Sequence, residues 1–252
     1  MRQVLLLSKR TAKEILRDPL NLCFGLGFPL VILGLLSLIQ SNIPAESGNN
    51  LFRIDLLAPA ITVFGLSFLT LFSALLVSKD RGSALLLRLY TTPLRPLDYI
   101  LGYLLPMVPI ALAQTAICYV FGMILGLKWT PNILLGLLLS IPAAWIFIVL
   151  GLFCGSLLNE KQVGGVCGAL LTNLSAWLSG IWFDVALVGG VFKTIAGILP
   201  FYHAVELQRV AYAGTLSESL SHLWVVLAWA VGLTAAAVWA FLHQMKKNEP
   251  LL

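Results

Sequence analysis

Few residues of this 252-residue chain have the type and spacing that enzymatic chemistry needs. The string closest to a phosphate-binding loop is GGVFKT, from Gly189 to Thr194. Such a loop needs the pattern G-x-x-x-x-G-K-[ST], in which glycines let backbone amides surround the phosphates. Phe192 stands where the second glycine belongs. The sequence therefore predicts that this chain binds no ATP of its own.

Histidines and cysteines are also poorly placed for catalysis or metal binding. His203 and His222 lie in one apolar-rich segment, and His243 follows the last apolar block, with no nucleophile at a useful spacing. All four cysteines fall inside apolar blocks and none forms a CxxC pair, so they are predicted to be small hydrophobic residues. An intramembrane enzyme is thus a minor alternative. No metal site and no bound cofactor are predicted.

The composition is that of a membrane protein. Hydrophobic residues make up 59% of the chain, charged residues only 11%, and the mean hydropathy is +0.94. A soluble domain is about a quarter charged, and here charge-free blocks alternate with short charged strips. The pattern predicts an all-α, polytopic membrane protein. Basic residues gather beside the apolar blocks, so membrane orientation explains the net charge of +5 and no nucleic-acid partner is expected.

Six apolar blocks reach the length of about 20 residues that a helix needs to cross the hydrocarbon. None of them contains Asp, Glu, Lys, Arg or His. A single permease domain, residues 1–252, is predicted, with a cytoplasmic amphipathic helix over 1–19, spans within 20–242 and a cytoplasmic tail over 243–252. The predicted spans are 20–39, 56–77, 100–126, 133–158, 163–181 and 223–242.

Lysine and arginine counts orient these spans. With the N-terminus inside, the outer segments hold only Arg53, Lys128, Lys193 and Arg209, and the inner segments hold the other twelve of the sixteen basic residues. Positive residues concentrate on the cytoplasmic side of membrane proteins. Both termini are therefore predicted to be cytoplasmic, in a plasma membrane that we expect to be bacterial.

Two inner segments are amphipathic. On a helical wheel the N-terminal segment separates a basic arc, which includes Arg10 and Lys13, from an apolar one. The segment KDRGSALLLRLYTTPLRP follows the second span, and as a helix from Arg81 to Tyr90 it would place Arg81 and Arg88 on one narrow stripe among leucines. Either helix could dock on a soluble protein or lie passively at the bilayer surface.

Neutral polar residues inside the spans are the candidates for a substrate cavity. Gln114 lies on the third span, and Asn173, Ser175 and Trp177 lie on the fifth. Helix–helix hydrogen bonds are the other interpretation of these residues. Glycines spaced four apart, such as Gly151 with Gly155, indicate close helix contacts either within the chain or between two copies.

The segment from Trp182 to His222 is too long for a turn and too apolar for a free loop. Apolar runs of helical length are broken there by Gly189, Gly190 and Pro200. We expect a broken or re-entrant helical segment on the outer face, with an ordinary surface loop as the alternative.

These parts together resemble the ABC-2 type permeases over nearly the whole chain. The most specific stretch is KDRGSALLLRLYTTPLRPLDYILGYLLP, which is similar to the family's connection between the second and third spans. The second is LPFYHAVELQR, Leu199 to Arg209, similar to the segment these permeases carry outside the last span. Two departures exist: Ala84 and Leu85 stand where a glutamate is common, and Gly102-Tyr103 stands where Gly-Lys is common. Asp80 is only a weak substitute for that glutamate.

The resemblance implies a division of labour between chains. This chain, with a second copy or a sister permease, would form the pore of an exporter, and separate ABC ATP-binding subunits would hold ATP and Mg. The family's coupling helix corresponds here to Arg81, Leu85, Leu86, Leu87, Arg88, Leu89 and Tyr90, with Arg10 and Lys13 beside the same ATPase. Pro200, Phe201, Tyr202, His203 and Glu206 would form an extracellular gate.

The cargo is not specified by the sequence. A drug, a peptide antibiotic, a lipid or a glycan would suit the short outer loops. An ATP-independent channel or a secondary carrier is the alternative function, although charge-free spans disfavour an ion-coupled carrier.

Overall fold

The computed structural model describes residues 2–43, 52–83 and 95–248. Helices make up 88% of the structure, and the described residues contain no strand, which confirms the all-α prediction. In chain order the elements are α1 Arg2–Leu16, α2 Pro19–Asn42, α3 Ile54–Gly82, α4 Pro96–Ile124, α5 Asn132–Leu157, α6 Glu160–Val163, a π-helical segment Gly164–Leu171, α7 Thr172–Leu178, α8 Val185–Val188, α9 Gly190–Ile198, α10 Pro200–Ala213 and α11 Leu216–Asn248.

Five helices of the described chain are long and apolar enough to cross a membrane. They comprise Leu22–Asn42, Ile54–Gly82, Pro96–Ile124, Asn132–Leu157 and Ser219–Gln244. Each corresponds to a predicted span. The remaining predicted span, 163–181, falls on α6, the π-helical segment and α7, which follow one another without a break from Glu160 to Leu178. The count of six spans stays a prediction.

The π-helical segment ends at a hydroxyl-bearing residue. The backbone carbonyl of Cys167 accepts a hydrogen bond of 2.9 Å from the Thr172 side-chain hydroxyl, five residues later. This bond gives the carbonyl a side-chain partner at the point where the segment returns to α-helix. Three of the eight residues, Gly164, Gly165 and Gly168, are glycines.

Helix α3 lies at the centre of the bundle, because 83% of the residues in its most apolar stretch are buried. Its closest partner is α5. A Cβ atom at Gly151 would lie 2.2 Å from the Thr70 carbonyl oxygen, and one at Gly155 would lie 2.5 Å from that of Ala74. This glycine pair therefore serves packing within the chain rather than contact between copies.

Two hydrogen bonds fasten the same helix pair. The Thr70 hydroxyl donates to the Phe147 carbonyl at 3.0 Å, and the Ser73 hydroxyl donates to the Ile148 carbonyl at 2.9 Å. Small and hydroxyl-bearing residues are what close helix contacts in a bilayer require.

Helix α1 packs along the start of α4. A Cβ atom at Gly102 would lie 2.4 Å from Leu7 Cδ2, so the Leu7 side chain occupies the space beside this glycine. The buried face is Val4, Leu7 and Ile15, together with Thr11. Leu5 and Leu16 are 65% and 68% exposed, while Leu7 faces α4. The position of α1 at the membrane interface stays a prediction.

The segment before α11 is divided into three helices. Gly189 and Gly190 have φ angles of 64° and 55° and separate α8 from α9, while Pro200 is the first residue of α10. These φ values are easily reached only by glycine. The breaks thus lie at the three residues that the sequence indicated. Whether the segment dips into the bilayer stays a prediction.

Candidate functional site

An ion pair joins the N-terminal helix to the end of α3. Arg10 Nη1 lies 2.5 Å from Asp80 Oδ2, and Arg10 Nη2 lies 2.6 Å from Asp80 Oδ1. The Asp80 side chain is 3% exposed. Two parallel N–H···O bonds are the strongest arrangement available to an arginine and a carboxylate. The hydrogen bonds to Asp80 raise the pKa of Arg10 above its usual range.

Three further side chains complete this group, which we call the Asp80 cluster. The Tyr103 hydroxyl of α4 donates to Asp80 Oδ2. Glu14, one turn beyond Arg10, lies 2.7 Å from Arg10 Nη2 and 3.9 Å from Lys79 Nζ. The cluster of Arg10, Glu14, Lys79, Asp80 and Tyr103 therefore links α1, α3 and α4 through one buried carboxylate.

Arg81, the next residue, turns to a different helix. Its guanidinium donates to the Ser156 carbonyl, and through Nη2 to the Leu158 carbonyl at 2.7 Å. Both oxygens lie at the C-terminal end of α5, where carbonyls lack intrahelical partners and the helix dipole favours a cation. Asp80 and Arg81 thus fix the end of α3 to three other helices.

Arg81 corrects one boundary of the predicted coupling helix. It lies in the last turn of α3, which continues to Gly82, and so it does not begin a separate helix. Arg81 caps the end of α5, and Asp80 bonds to α1 and α4. Because these contacts hold the backbone at residues 80 and 81, α3 continues beyond the apolar block that ends at Val77. Leu85, Leu86, Leu87, Arg88, Leu89 and Tyr90 lie outside the described residues.

The two α1 residues predicted to face an ATPase differ in their surroundings. Arg10 is engaged by Asp80 and Glu14 inside the chain. Lys13 is exposed on the polar face of α1. The role of Asp80 was not predicted from the sequence. The signal that could have indicated it is a lone carboxylate between Lys79 and Arg81, at the end of an apolar block.

The predicted cavity residues do not meet in one place. Gln114 is buried between α4 and α3, where a Cβ at Gly65 would lie 1.7 Å from its Nε2 atom. Its amide donates to Cys118 Sγ at 3.3 Å, while its Oε1 atom has no partner in the described part of the chain. Gln114 therefore fills a helix–helix contact.

The other three cavity candidates share α7 but point in different directions. Asn173 and Trp177 are exposed on one face, where they line a shallow depression with Gly165 and Ala169. Ser175 is turned inward and its hydroxyl donates to the Thr172 carbonyl at 2.9 Å. The exposed face combines small residues with a polar side chain, as helix interfaces in membranes do.

The predicted gate residues lie on α10, which is embedded in the bundle. Pro200 and Phe201 are buried, and the Phe201 ring stacks on Phe147 with centroids 5.9 Å apart. Tyr202 contacts the rings of His203 and His222 edge-on. Burial raises the pKa of Tyr202, so its hydroxyl is neutral at physiological pH.

His203 connects α10 to both of its neighbours. Its Nδ1 atom lies 2.8 Å from Nδ1 of His222 in α11, and its Nε2 atom lies 2.8 Å from the Gly197 carbonyl in α9. Because a carbonyl only accepts, the His203 Nε2–H group donates to Gly197, and one of the two facing Nδ1 atoms donates to the other. The described chain contains no group of three His, Cys, Asp or Glu residues suited to a metal ion.

Glu206 belongs to an ion pair on the same helix. Its Oε1 atom lies 2.8 Å from Arg209 Nη1. Arg209 also donates to the Leu56 carbonyl at 3.3 Å and to the Gly180 carbonyl at 3.2 Å. Arg209 therefore ties α10 to the start of α3 and to the end of the α6–α7 run.

Gln208 is the buried polar residue of α10 that sequence reasoning missed. It is fully buried, accepts a hydrogen bond from the Tyr119 hydroxyl at 3.1 Å, and donates to the Gly136 carbonyl at 3.1 Å. The Tyr119 oxygen would lie 2.6 Å from a Cβ at Gly136. Gln208 thus bridges α10, α4 and α5, and the signal available was an amide within an otherwise apolar helix stripe.

Comparison with known proteins gives one match. A family model described as ABC-2 type transporter matches residues 2–212. The matched range includes the whole Asp80 cluster, the exposed face of α7 and nearly all of α10. No curated protein matches the chain.

Proposed function

On the premise that the chain belongs to the ABC-2 type transporter family, whose members are transport permeases, we propose that it is the membrane subunit of an ATP-driven exporter. In this proposal the permease hydrolyses no ATP. Separate ABC ATP-binding subunits bind ATP and Mg beneath it, and a second copy or a sister permease completes the translocation path. The protein lies in a bacterial cell membrane with both termini cytoplasmic.

The observation that carries the proposal is the Asp80 cluster with its neighbour Arg81. Residues 84–94, which hold the predicted coupling helix, directly follow the end of α3 in the chain. A force applied there reaches the end of α3, and that end is bonded to α1 and α4 through Asp80 and to α5 through Arg81. Movement of a soluble partner would thus shift four helices together instead of bending a loop.

Burial in α3 supports the same mechanism. The helix is the most buried of the five long apolar helices, and packed helices move as rigid bodies because their cores do not deform continuously. Tilting α3 must therefore carry α5 with it through the Gly151 and Gly155 contacts. At the other end, α10 is bonded to α3 through Arg209 and to α5 through Gln208.

The outer helices limit the cargo that suits this proposal. Phe201, Tyr202 and His203 lie in the first turn of α10, where Phe201 stacks on Phe147 and Tyr202 contacts His203. Rings and neutral polar groups would accommodate an amphipathic molecule, so we favour a drug, a peptide antibiotic, a lipid or a glycan. In this mechanism the substrate leaves on the side of α10.

The test is coupled ATP hydrolysis with purified components. The permease is co-purified with an ABC ATP-binding subunit and reconstituted in lipid vesicles, and the rate of ATP hydrolysis is measured with a panel of amphipathic compounds. We expect Arg88→Glu and Leu87→Asp to abolish complex formation or ligand-stimulated hydrolysis while the permease keeps its melting temperature. Lys128→Glu, an exposed basic residue beyond the opposite end of α4, is the matched control.

The competing function gives an opposite result. An ATP-independent channel or secondary carrier would move cargo in vesicles that contain the permease alone. The proposed role is contradicted if the permease alone moves cargo at the rate of the full complex. It is also contradicted if ligand-stimulated ATP hydrolysis in Arg88→Glu and in Leu87→Asp equals that of the Lys128→Glu control.

A further inference from the structure

A groove opens between α1 and the end of α3, on the side of α1 that faces away from α4. Its volume is about 860 Å³. One wall is the polar face of α1, and the other is formed by the last turns of α3 and the first turn of α2. Its volume lies within the range of about 300 to 1,000 Å³ that is typical of small-molecule sites.

The charge of the groove is positive. Five basic side chains and three acidic ones, Glu14, Asp18 and Glu160, line it. Arg10 is also paired with Asp80, and counting this carboxylate leaves a net charge of +1. Glu14 is neutralised by Arg10 and Lys79. Among the described residues, no ion pair includes Lys9, Lys13 or Arg17, all of which are exposed along the α1 wall. These three cations are therefore available to an anion in the groove.

The floor of the groove is apolar. Phe72, Leu75 and Leu76 of α3 face Leu22 of α2 across it. The Phe72 ring fills the space beside Gly25, where a Cβ would lie 2.5 Å from its Cε2 atom, so the α2–α3 contact closes the floor. The groove thus joins a cationic rim to an apolar base at the point where two membrane-length helices end.

We propose that this groove binds an anionic phospholipid, with the phosphate at Lys9, Lys13 and Arg17 and the first part of an acyl chain against Phe72, Leu75 and Leu76. Basic pockets between helices at the cytoplasmic surface recognise acidic headgroups. A soluble anion would use the rim alone and leave the apolar floor uncovered. An acidic segment of a soluble partner would do the same, so the floor favours a lipid.

The bound lipid has a structural consequence. By neutralising the α1 cations it would hold α1 against the ends of α2 and α3, next to the Asp80 cluster. The proposal does not depend on the proposed function, because binding is measured on the permease alone.

The test uses native mass spectrometry of the full chain in detergent. Dioleoyl phosphatidylglycerol and dioleoyl phosphatidylcholine, which share their acyl chains, are added at equal concentration and the retained adducts are compared. We expect preferential retention of phosphatidylglycerol. Each basic residue near a membrane surface contributes about a fivefold preference for acidic lipid, so Lys13→Gln with Arg17→Gln should reduce the preference by more than tenfold.

Two further variants separate the site from general charge and from free phosphate. Lys128→Gln with Lys193→Gln removes two exposed charges elsewhere and should leave the preference unchanged. Leu75→Trp fills the floor without altering charge and should lower retention of phosphatidylglycerol. Glycerol 3-phosphate, the soluble headgroup, should fail to displace the lipid.

Several results would overturn the proposal. These are equal retention of both lipids by the unmodified chain, an unchanged preference in the Lys13 and Arg17 double variant, or the same loss in the Lys128 and Lys193 control. Full displacement by glycerol 3-phosphate would assign the groove to a free anion. If the complex with the ATP-binding subunit no longer retains the lipid, the groove would be assigned to that subunit.

Discussion

Arg10 and Asp80 are seventy residues apart in the chain and form a two-point ion pair with N···O distances of 2.5 and 2.6 Å. The carboxylate is almost completely buried and the guanidinium is partly exposed. Breaking a buried pair leaves a charge without a partner, and this costs more than the intact pair contributes. The pair therefore fastens α1 to the end of α3, in addition to the apolar contact that α1 makes with α4.

Replacing Arg10 by Gln should destabilise the protein by about 1 to 3 kcal/mol, a range reduced for the partial exposure of Arg10. Asp80→Asn should cost a similar amount, because Tyr103 also loses its charged acceptor. The double variant should recover part of the loss, since no buried charge remains. Thermal unfolding in detergent measures the cycle, with Lys128→Gln as control. Strictly additive losses would show that the two residues do not interact.

The sequence predicted the five long apolar helices, because a helix that crosses the hydrocarbon needs about 20 apolar residues. It predicted some of their ends less well: α3 continues five residues beyond Val77, and α11 begins seven residues before Leu223. It did not predict the Asp80 cluster. Arg10 was assigned to an external partner, since a helical wheel shows which residues share a face but not which neighbour covers that face. Asp80 was considered only as a weak substitute for the glutamate that related permeases commonly carry at the start of the coupling helix.

Tyr103 illustrates the same limit. It occupies the position where related permeases commonly carry lysine, and the sequence alone treats it as a departure from the pattern. In the structure its hydroxyl bonds to Asp80, and Gly102 beside it admits Leu7 of α1. Both roles depend on contacts between residues distant in the chain, which periodicity does not reveal.

Adding a methyl group at Gly151 or Gly155 should disrupt the α3–α5 contact. A Cβ would lie 2.2 Å or 2.5 Å from backbone oxygens of α3, and backbone cannot move aside as a flexible side chain can. Overpacking of this kind costs about 1 to 3 kcal/mol. We expect Gly151→Ala and Gly155→Ala to lower the melting temperature. Gly164→Ala, which meets nothing within 4 Å, should leave it unchanged or raise it.

Gln208→Met should weaken the attachment of α10 while keeping the side chain's size. It removes the acceptor of the buried Tyr119 hydroxyl and the additional hydrogen bond to the Gly136 carbonyl, which keeps its partner within α5. A buried polar group left unpaired costs about 1 to 3 kcal/mol. Combining Gln208→Met with Tyr119→Phe removes the orphaned hydroxyl and should restore part of the stability in thermal unfolding. A neutral effect of Gln208→Met would contradict the bridging role.

A cysteine at position 173 should cross-link two copies of the permease if the proposed dimer forms. The exposed face of α7 carries Asn173 near Gly165 and Ala169, a combination that favours helix association over contact with lipid. Trp239→Cys on α11 is the control, because it places a cysteine at an exposed position on a different long helix. Oxidation in membranes followed by gel electrophoresis is the measurement. Equal cross-linking at positions 173 and 239 would show that α7 does not form the dimer interface.

Arg81 and Arg88 should respond differently to substitution, although the resemblance assigns both to the same coupling helix. Arg81 donates to two carbonyls at the end of α5, and its planar guanidinium reaches both at once. Arg81→Lys keeps the charge but loses one of these bonds, so it should cost about 1 kcal/mol and lower the melting temperature. Arg81→Gln should cost more, because the carbonyls also lose a favourable cation.

In the reconstituted complex, any loss of ligand-stimulated hydrolysis in the Arg81 variants should follow the loss of permease stability and recover on cooling. Arg88→Glu should instead lose coupling at an unchanged melting temperature. Arg95→Gln, at an exposed residue before α4, serves as the control for a surface arginine on the same side. If Arg81→Lys removed coupling while its melting temperature matched that of the control, Arg81 would contact the ATPase directly and would not act through α5.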